Sequence, residues 1–274
     1  MTLRYLVNCS ILLTDLPVLE RPAAAKAAGF DAVEFWWPFP EPVPADRDVD
    51  AFEQAVRDAG VALVGLNFFA GDMPGGDRGV VSWPGRATEF RDNVDVAVGL
   101  GERLGVHVFN ALYGNRLDNA DPLRQDELAT ENLLVAAEAA ERIGATVLVE
   151  PVSGGGRYPL RTADDAGAVL DDLACAGAGN VGLLADLYHL ASNGDDVERA
   201  IARYRDRIAH VQIADTPGRG EPGTGHLPLA RWLEDLDRGG YQGFVGLEYK
   251  ATAEDPFAWL PRAERGSGAL TDHS

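Results

Sequence analysis

Residues 141–150 read ERIGATVLVE: the charged end of a helix, a glycine, and a short apolar run that stops at an acid. A glycine just past a helix adopts the left-handed conformation that satisfies the last helical carbonyls, so Gly144 marks a helix end. The apolar run directly after it has the composition of a buried parallel strand. This stretch therefore predicts a helix that is followed at once by a buried strand.

The same helix–glycine–strand phrase recurs along the chain. Gly29, Gly60 and Gly105 each follow an alanine-rich or charged segment and precede a short apolar run. Together with further apolar runs they give eight predicted strands, near residues 4–9, 30–35, 61–67, 106–110, 145–150, 181–187, 208–214 and 243–249. Eight strands that alternate with helix-length segments predict an α/β fold, a single (β/α)8 TIM barrel; a doubly wound open sheet is the alternative.

The length of the chain suits one barrel better than two domains. It has 274 residues, 46% of them hydrophobic, and no linker-like stretch divides it. We therefore predict a catalytic barrel domain over residues 1–261. Residues 262–274 are polar and contain glycine and serine, so we expect a flexible C-terminal tail that frays or packs between subunits of a homo-oligomer.

The charge of the chain limits its partners. Its 24 Lys and Arg residues against 43 Asp and Glu residues give a formal net charge of −19 at pH 7. Such a surface repels nucleic-acid phosphates and anionic lipid, so we expect a small-molecule substrate and neither nucleic acid nor a membrane as partner. The N-terminal apolar run is too short and polar for a signal peptide, and Cys9 and Cys175 have no metal-binding spacing. We therefore predict a cytoplasmic protein with reduced thiols.

Polar side chains lie at the ends of the last four predicted strands: Glu150, Asp186, Gln212 and Glu248. Neighbouring strands lie about 4.8 Å apart, and the active sites of this fold lie at the carboxyl ends of the strands. Three crowded carboxylates require a cation or protons, and an all-oxygen set favours Mg²⁺ or Mn²⁺ over Zn²⁺. We therefore predict a metal site formed by these four residues. The alternative is a set of exposed carboxylates that cap helices or pair with arginine.

Loops beyond the strands supply further candidates. His189 lies three residues after Asp186, where it either donates to a substrate oxygen or is an ordinary loop histidine. Residues 218–223, GRGEPG, match a dinucleotide-binding pattern but follow the seventh strand, so we interpret them as a mobile loop with Arg219 reaching inward. Residues 71–79 predict a second such loop, and the aromatic segment 35–39 either walls the pocket or packs elsewhere.

Several motifs together resemble the hydroxypyruvate isomerases, within the xylose isomerase-like TIM barrels that also include tagatose and psicose epimerases. The motifs cover residues 8–10 (NCS), 29–36 (GFDAVEFW), 110–116 (NALYGNR), 150–152 (EPV), 186–189 (DLYH), 210–215 (HVQIAD), 217–225 (PGRGEPGTG) and 247–250 (LEYK). The match runs over nearly the whole chain. It implies the same four metal ligands, with Glu150 and Glu248 also moving protons, and it implies that His189 and Arg219 contact the substrate.

Departures from the epimerases point to an acid as substrate. Gln212 stands where the epimerases usually have histidine, and Arg157 lies in a stretch where they carry a substrate-binding glutamate. A cation in place of an anion favours a substrate carboxylate, for which Lys250, Arg157 and Arg219 are candidates. The resemblance therefore implies a metal-dependent isomerase that interconverts hydroxypyruvate and tartronate semialdehyde through an enediolate.

Three alternative functions stay open. An isomerase or epimerase of a larger keto-acid or ketose, of the 2-oxo-tetronate or tagatose/psicose type, would use the same metal and glutamates in a roomier pocket. A barrel phosphodiesterase of the abasic-site endonuclease type would need several Zn²⁺ ions and many histidines, whereas the chain has five and its charge opposes DNA. A non-catalytic sugar-binding barrel would not need four intact ligands.

Overall fold

A closed barrel of parallel strands forms the centre of the molecule, as the computed structural model of residues 3–266 describes it. Its strands are Arg4–Asn8 (β1), Ala32–Phe35 (β2), Ala62–Asn67 (β3), Val108–Asn110 (β4), Thr146–Val149 (β5), Val181–Asp186 (β6), Ile208–Ile213 (β7) and Phe244–Leu247 (β8). Each strand pairs with the next in sequence, and β8 closes the ring on β1. The prediction of a (β/α)8 barrel is confirmed, and the open sheet is excluded.

Helices surround the barrel and return the chain from strand to strand. They are Arg21–Ala27 (α1), Asp46–Ala59 (α2), Ala87–Leu104 (α3), Pro122–Glu141 (α4), Ala163–Cys175 (α5), Leu187–Ser192 (α6), Val197–Tyr204 (α7), Leu229–Arg238 (α8) and Arg262–Arg265 (α9). Short 3₁₀ turns at Val18–Glu20 and Pro84–Arg86 lead into α1 and α3. Gly60 and Gly105 end α2 and α3 with φ angles of 64° and 71°, the left-handed conformation that the repeated phrase predicts.

The barrel interior changes from apolar to polar along its axis. Two apolar clusters fill its lower part: Leu6, Ala32, Val64 and Phe244 in one, and Val108, Leu148 and Leu184 in the other. Leu148 and Leu184 lie two residues before Glu150 and Asp186. Because side chains alternate along a strand, this spacing brings both acids to the inward face, above the apolar layers.

The predicted tail begins with packed residues. Arg265 in α9 is buried, and its guanidinium donates to the carbonyl oxygens of Leu260, Phe257 and Ala28. Residues 262–266 are therefore held on the barrel, and the rest of the predicted tail, residues 267–274, lies outside the described residues. No helix between residues 3 and 266 is long and apolar enough to cross a membrane.

Candidate metal centre and active site

The four predicted metal ligands meet at the carboxyl end of the barrel. Glu150 directly follows β5, Asp186 ends β6, Gln212 lies in β7 and Glu248 directly follows β8. Asp186 and Gln212 are register partners, and all four residues are at most 4% exposed. One oxygen from each of the three carboxylates and one ring nitrogen of His189 lie within 4.8 Å of one another.

Two buried oxygens of the four predicted ligands have no hydrogen-bond partner among the described residues. Asp186 uses Oδ1 to accept the backbone N–H groups of Tyr188 and His189, at 2.8 and 3.1 Å, at the start of α6. Its Oδ2, like Oε1 of Gln212, is buried and accepts no hydrogen bond from the described residues. An unsatisfied buried polar group costs about 1–3 kcal/mol, and a bound cation would satisfy both oxygens. The donor set therefore fits a hard divalent metal.

The three acids resist ionising together. Burial, followed by the negative charges of Glu248 and Asp186, raises the pKa of Glu150 well above its ordinary value. Burial also raises the pKa of Glu248 to about 7, although the positive charge of Arg219 opposes the rise. Burial raises the pKa of Asp186 as well, again against Arg219. A divalent cation between the three carboxylates would relieve this repulsion.

The imidazole of His189 is neutral and has a defined tautomer. Burial, and then the positive charge of Arg219, lowers its pKa to about 3. Its Nδ1 accepts the backbone N–H of Ser153 at 3.1 Å, so the hydrogen of the neutral ring is on Nε2. Nε2 lies 3.5 Å from Asp186 Oδ2 and 3.9 Å from Glu150 Oε1. His189 therefore directs an N–H donor into the site, as its predicted role requires.

Arg219 reaches inward, in the direction that its loop predicts. Its Nη2 contacts Glu248 Oε2 and lies 3.5 Å from Asp186 Oδ2, and its Nε donates to the carbonyl oxygen of Glu248 at 3.1 Å. The guanidinium also lies over the ring of Tyr188, 5.3 Å from the ring centroid. A single cation thus faces two of the three carboxylates.

Neutral side chains orient two of the acids. Asn110, at the end of β4, donates from Nδ2 to Glu150 Oε2 at 2.7 Å. Asn8, at the end of β1, donates to Glu248 Oε1 at 3.1 Å, and the indole N–H of Trp36 donates to the same oxygen at 2.7 Å. The sequence alone does not predict these contacts, because asparagine after an apolar run is equally typical of a turn.

A cavity of about 1040 Å³ opens above the acids, and Glu150, His189, Arg219 and Glu248 are among its lining residues. The aromatic segment contributes Trp36, Trp37 and Phe39, so it does wall the pocket. The loop of residues 71–79 contributes residues 71–74 and 78. The loop of residues 71–79 and the loop of residues 218–223, through Arg219, therefore both lie at the barrel mouth.

Comparisons with known proteins agree with this geometry. Residues 22–269 match the family described as xylose isomerase-like TIM barrel. The protein named "Putative hydroxypyruvate isomerase" from Streptomyces coelicolor is 53% identical over 96% of this chain and 98% of its own. The chain belongs to the hydroxypyruvate isomerase family. It is thus a sugar or keto-acid isomerase of that family with a buried site suited to a divalent metal.

Three further relatives share about a third of their residues with this chain. Hydroxypyruvate isomerase from Escherichia coli is 30% identical over 94% of this chain and 98% of its own. The 2-oxo-tetronate isomerase from Cupriavidus necator is 33% identical over 91% of this chain and 94% of its own. A solved structure described as an AP endonuclease, family 2, from Brucella melitensis is 32% identical, with a TM-score of 0.84, over 94% of this chain and 97% of that chain.

The Arg219 loop is held more firmly in this family member than its glycine content predicts. The buried carboxylate of Asp215 accepts the backbone N–H groups of Thr216, Gly223, Gly225 and Leu227 at 2.8–3.0 Å. Glu221, also buried, accepts the backbone N–H groups of Thr252 and Ala253 in the segment after β8. Asp215 and Glu221 thus hold this loop through six backbone hydrogen bonds, and its mobility stays a prediction.

Two predicted substrate-binding residues lie away from the cavity. Arg157 is exposed and pairs with Asp118. Lys250 is exposed as well: β8 ends at Leu247, so the alternation of faces that would place Lys250 beside Glu248 no longer holds. Within the described part of the chain neither lines the cavity, whereas Arg78, which the sequence analysis did not single out, does.

Proposed function

We propose that this protein is a divalent-metal-dependent isomerase that interconverts hydroxypyruvate and tartronate semialdehyde through an enediolate. The observation that carries the proposal is the meeting of Glu150, Asp186, Gln212 and Glu248, two of which present buried oxygens that accept no hydrogen bond from the described residues. The relatives named hydroxypyruvate isomerase, at 53% and 30% identity, support it. We propose Mg²⁺ or Mn²⁺ because the four donors are all oxygens. A cytoplasmic location stays a prediction.

The reaction moves a hydrogen between adjacent carbons. A proton leaves C3 of hydroxypyruvate while O2 gains one; a proton then joins C2 while the hydroxyl on C3 loses its own. Glu150 follows β5 and Glu248 follows β8, so a substrate between them would meet a carboxylate on each side. We assign the carbon-bound proton transfers to this pair. A divalent metal, when bound, supplies a Lewis acid for negative charge on substrate oxygens.

His189 and Arg219 are assigned to substrate oxygens. His189 offers Nε2–H from a neutral ring, and Arg219 offers charge-assisted hydrogen bonds. The substrate carboxylate needs a cation against the net charge of −19, and Arg219 and Arg78 both line the cavity. Nη1 of Arg78 donates to the carbonyl oxygens of Met73 and Asp77, at 3.1 and 2.7 Å, which holds its guanidinium at the cavity wall.

The size of the cavity favours one alternative, an isomerase of a larger 2-oxo acid. A volume of about 1040 Å³ exceeds what a three-carbon acid fills, and one relative at 33% identity is named 2-oxo-tetronate isomerase. This alternative keeps the same metal and glutamates and differs in the use of the outer cavity.

The endonuclease alternative gains no support from the donor set. Within the described residues His189 is the single histidine that joins the acid cluster, whereas a site for several Zn²⁺ ions would need many.

The test is turnover with and without metal. Protein stripped with a chelator should lose hydroxypyruvate turnover, and Mg²⁺ or Mn²⁺ should restore it. A parallel assay with 2-oxo-tetronate compares the two candidate substrates. Turnover of 2-oxo-tetronate alone would favour the larger acid, and activity that ignores the chelator would refute the metal assignment.

A further inference from the structure

A fourth buried acid lies beneath the metal centre. Glu34 in β2 is only 4% exposed, and three side chains donate to its carboxylate. Nδ2 of Asn8 and Nε2 of Gln212 donate to Oε1, at 3.0 and 2.7 Å, and Nε2 of His210 lies 2.6 Å from Oε2. A buried carboxylate is costly unless it is paired and hydrogen-bonded, so this position is fully supported by its donors.

Two glycines make the room for this carboxylate. A Cβ atom at Gly246 in β8 would lie 2.6 Å from Glu34 Oε1, and a Cβ atom at Gly65 in β3 would lie 3.2 Å from Oε2. The register between β2 and β3 also shifts at Glu34. Because barrel interiors are normally filled by bulky apolar side chains, small residues on two separate strands indicate a space that is kept for the acid.

The bond to Glu34 decides which end of the Gln212 amide faces the metal centre. A side-chain amide has a donor end and an acceptor end, and a carboxylate can only accept. Since Nε2 of Gln212 donates to Glu34, its Oε1 must point away, and this is the buried oxygen that lacks a partner within the described residues. A flipped amide would direct N–H groups at the centre, which cannot bind a cation.

The same carboxylate is linked to Glu248. Nδ2 of Asn8 donates to Oε1 of Glu34 and to Oε1 of Glu248, at 3.0 and 3.1 Å. Oδ1 of Asn8 accepts the backbone N–H of Ser10, which fixes the orientation of this amide too. Glu34 therefore acts on two of the four expected ligands, one directly and one through Asn8.

We infer that Glu34 is a positioning residue that orients the Gln212 amide so that its oxygen binds the divalent metal. The inference rests on the metal site of the proposed function and not on the choice of substrate. It assigns His210 and Asn8 to the support of the same carboxylate.

The first experiment measures Mn²⁺ affinity by calorimetry and Mn²⁺ coordination by electron paramagnetic resonance, with no substrate present. Glu34→Met keeps the length of the side chain but cannot accept from Gln212, so Mn²⁺ should bind about 10–100-fold more weakly, as when other residues that hold metal ligands are replaced. Glu41→Gln, which removes a different carboxyl group at the cavity wall, should bind Mn²⁺ as the unmodified chain does.

A charge exchange tests the contact even where Glu34→Met does not fold. Gln212→Glu alone would set two carboxylates against each other, so it should bind Mn²⁺ more weakly than the unmodified chain. In the Glu34→Gln background the same change gives the new carboxylate an amide donor, and Mn²⁺ binding should recover. Such a reversal measures the coupling of the two positions, which a general loss of packing would not produce.

Two results would overturn the inference. One is a folded Glu34→Met variant with unchanged Mn²⁺ affinity and spectrum. The other is a Gln212→Glu variant that binds Mn²⁺ as well alone as it does with Glu34→Gln. Failure of the unmodified chain to bind Mn²⁺ would refute the metal site and this inference together, whereas the first two results leave the proposed function intact.

Discussion

The two halves of the barrel mouth carry different chemistry. In β5–β8 the strand ends supply three carboxylates and the oxygen of Gln212; in the other half, β1, β3 and β4 each end at an asparagine, at Asn8, Asn67 and Asn110. Asn8 and Asn110 each donate to the acid after the neighbouring strand, Glu248 after β8 and Glu150 after β5. An amide N–H fixes the orientation of a carboxylate and leaves its negative charge in place, whereas a lysine would compensate the charge that a metal needs.

Removal of an acid should have the largest effect. Glu248→Gln takes away a proposed metal ligand and a proposed proton carrier at once, so turnover should fall by at least about 10²–10⁴-fold, the usual contribution of general acid–base catalysis. Steady-state kinetics at saturating Mg²⁺ or Mn²⁺ would measure this, with circular dichroism melts to verify folding. Turnover close to that of the unmodified chain would remove Glu248 from catalysis.

Removal of an amide should have an intermediate effect. Asn110→Leu deletes the donor to Glu150 but leaves every expected metal ligand in place, so we expect a loss of about 10–100-fold in metal affinity or turnover. Titration with Mn²⁺ and kinetics on the same preparation would check it. If the variant kept its metal affinity and turnover, the amide of Asn110 would only fill space at the end of β4.

The contribution of the loop after β7 to the free energy of unfolding should depend on pH. Although burial opposes ionisation of Asp215, its backbone hydrogen bonds to Leu227, Gly225, Thr216 and Gly223 hold its pKa below the ordinary value. Asp215→Asn should lower the free energy of unfolding by about 1–3 kcal/mol at pH 7. Since the pKa of Asp215 is lowered in the folded protein, the stability that Asp215 gives over asparagine is complete above about pH 4. This extra stability is lost as the pH falls through the pKa of Asp215 in the folded protein. Urea unfolding at pH 7 and pH 3 should show the difference shrink; a constant difference would contradict it.

The exposed cations should matter least. Arg157→Ala and Lys250→Ala change residues that lie outside the cavity within the described chain, so each should alter kcat/KM by less than about twofold, as expected of exposed charges. Substrate titrations of each variant and of the unmodified chain would measure this. A large loss of kcat/KM in either variant would mean that the residue binds substrate and that the binding site extends beyond the cavity described above.

These contrasts also explain what could be predicted from the sequence. The acids of β5–β8 are recognisable because Glu150 or Glu248 at the end of an apolar run is unusual, and the recurring glycines mark the helix ends. Glu34 escapes notice because its meaning depends on Gly65, its partner in β3, and on Gly246 in β8, which the fold brings beside it. Lys250 lies three residues past the end of β8, where strand alternation no longer predicts the direction of a side chain, and it is exposed.

Prediction of the Arg219 loop was partly right for a related reason. Glycine content indicates that a segment can turn, and it correctly placed a loop with an inward arginine over the mouth. It cannot indicate that Asp215 gathers four backbone N–H groups or that Glu221 bonds to the segment after β8, because those partners become neighbours only in the folded chain.

The segment that carries Arg219 is held by hydrogen bonds from within the protein itself. Fixing the backbone of one residue costs roughly 1–2 kcal/mol in conformational entropy. Because Asp215 and Glu221 hold this segment in the folded protein, that entropy is lost during folding and not during binding. Substrate association through Arg219 should therefore carry little entropic penalty from the protein, and its rate should not wait for this loop to close.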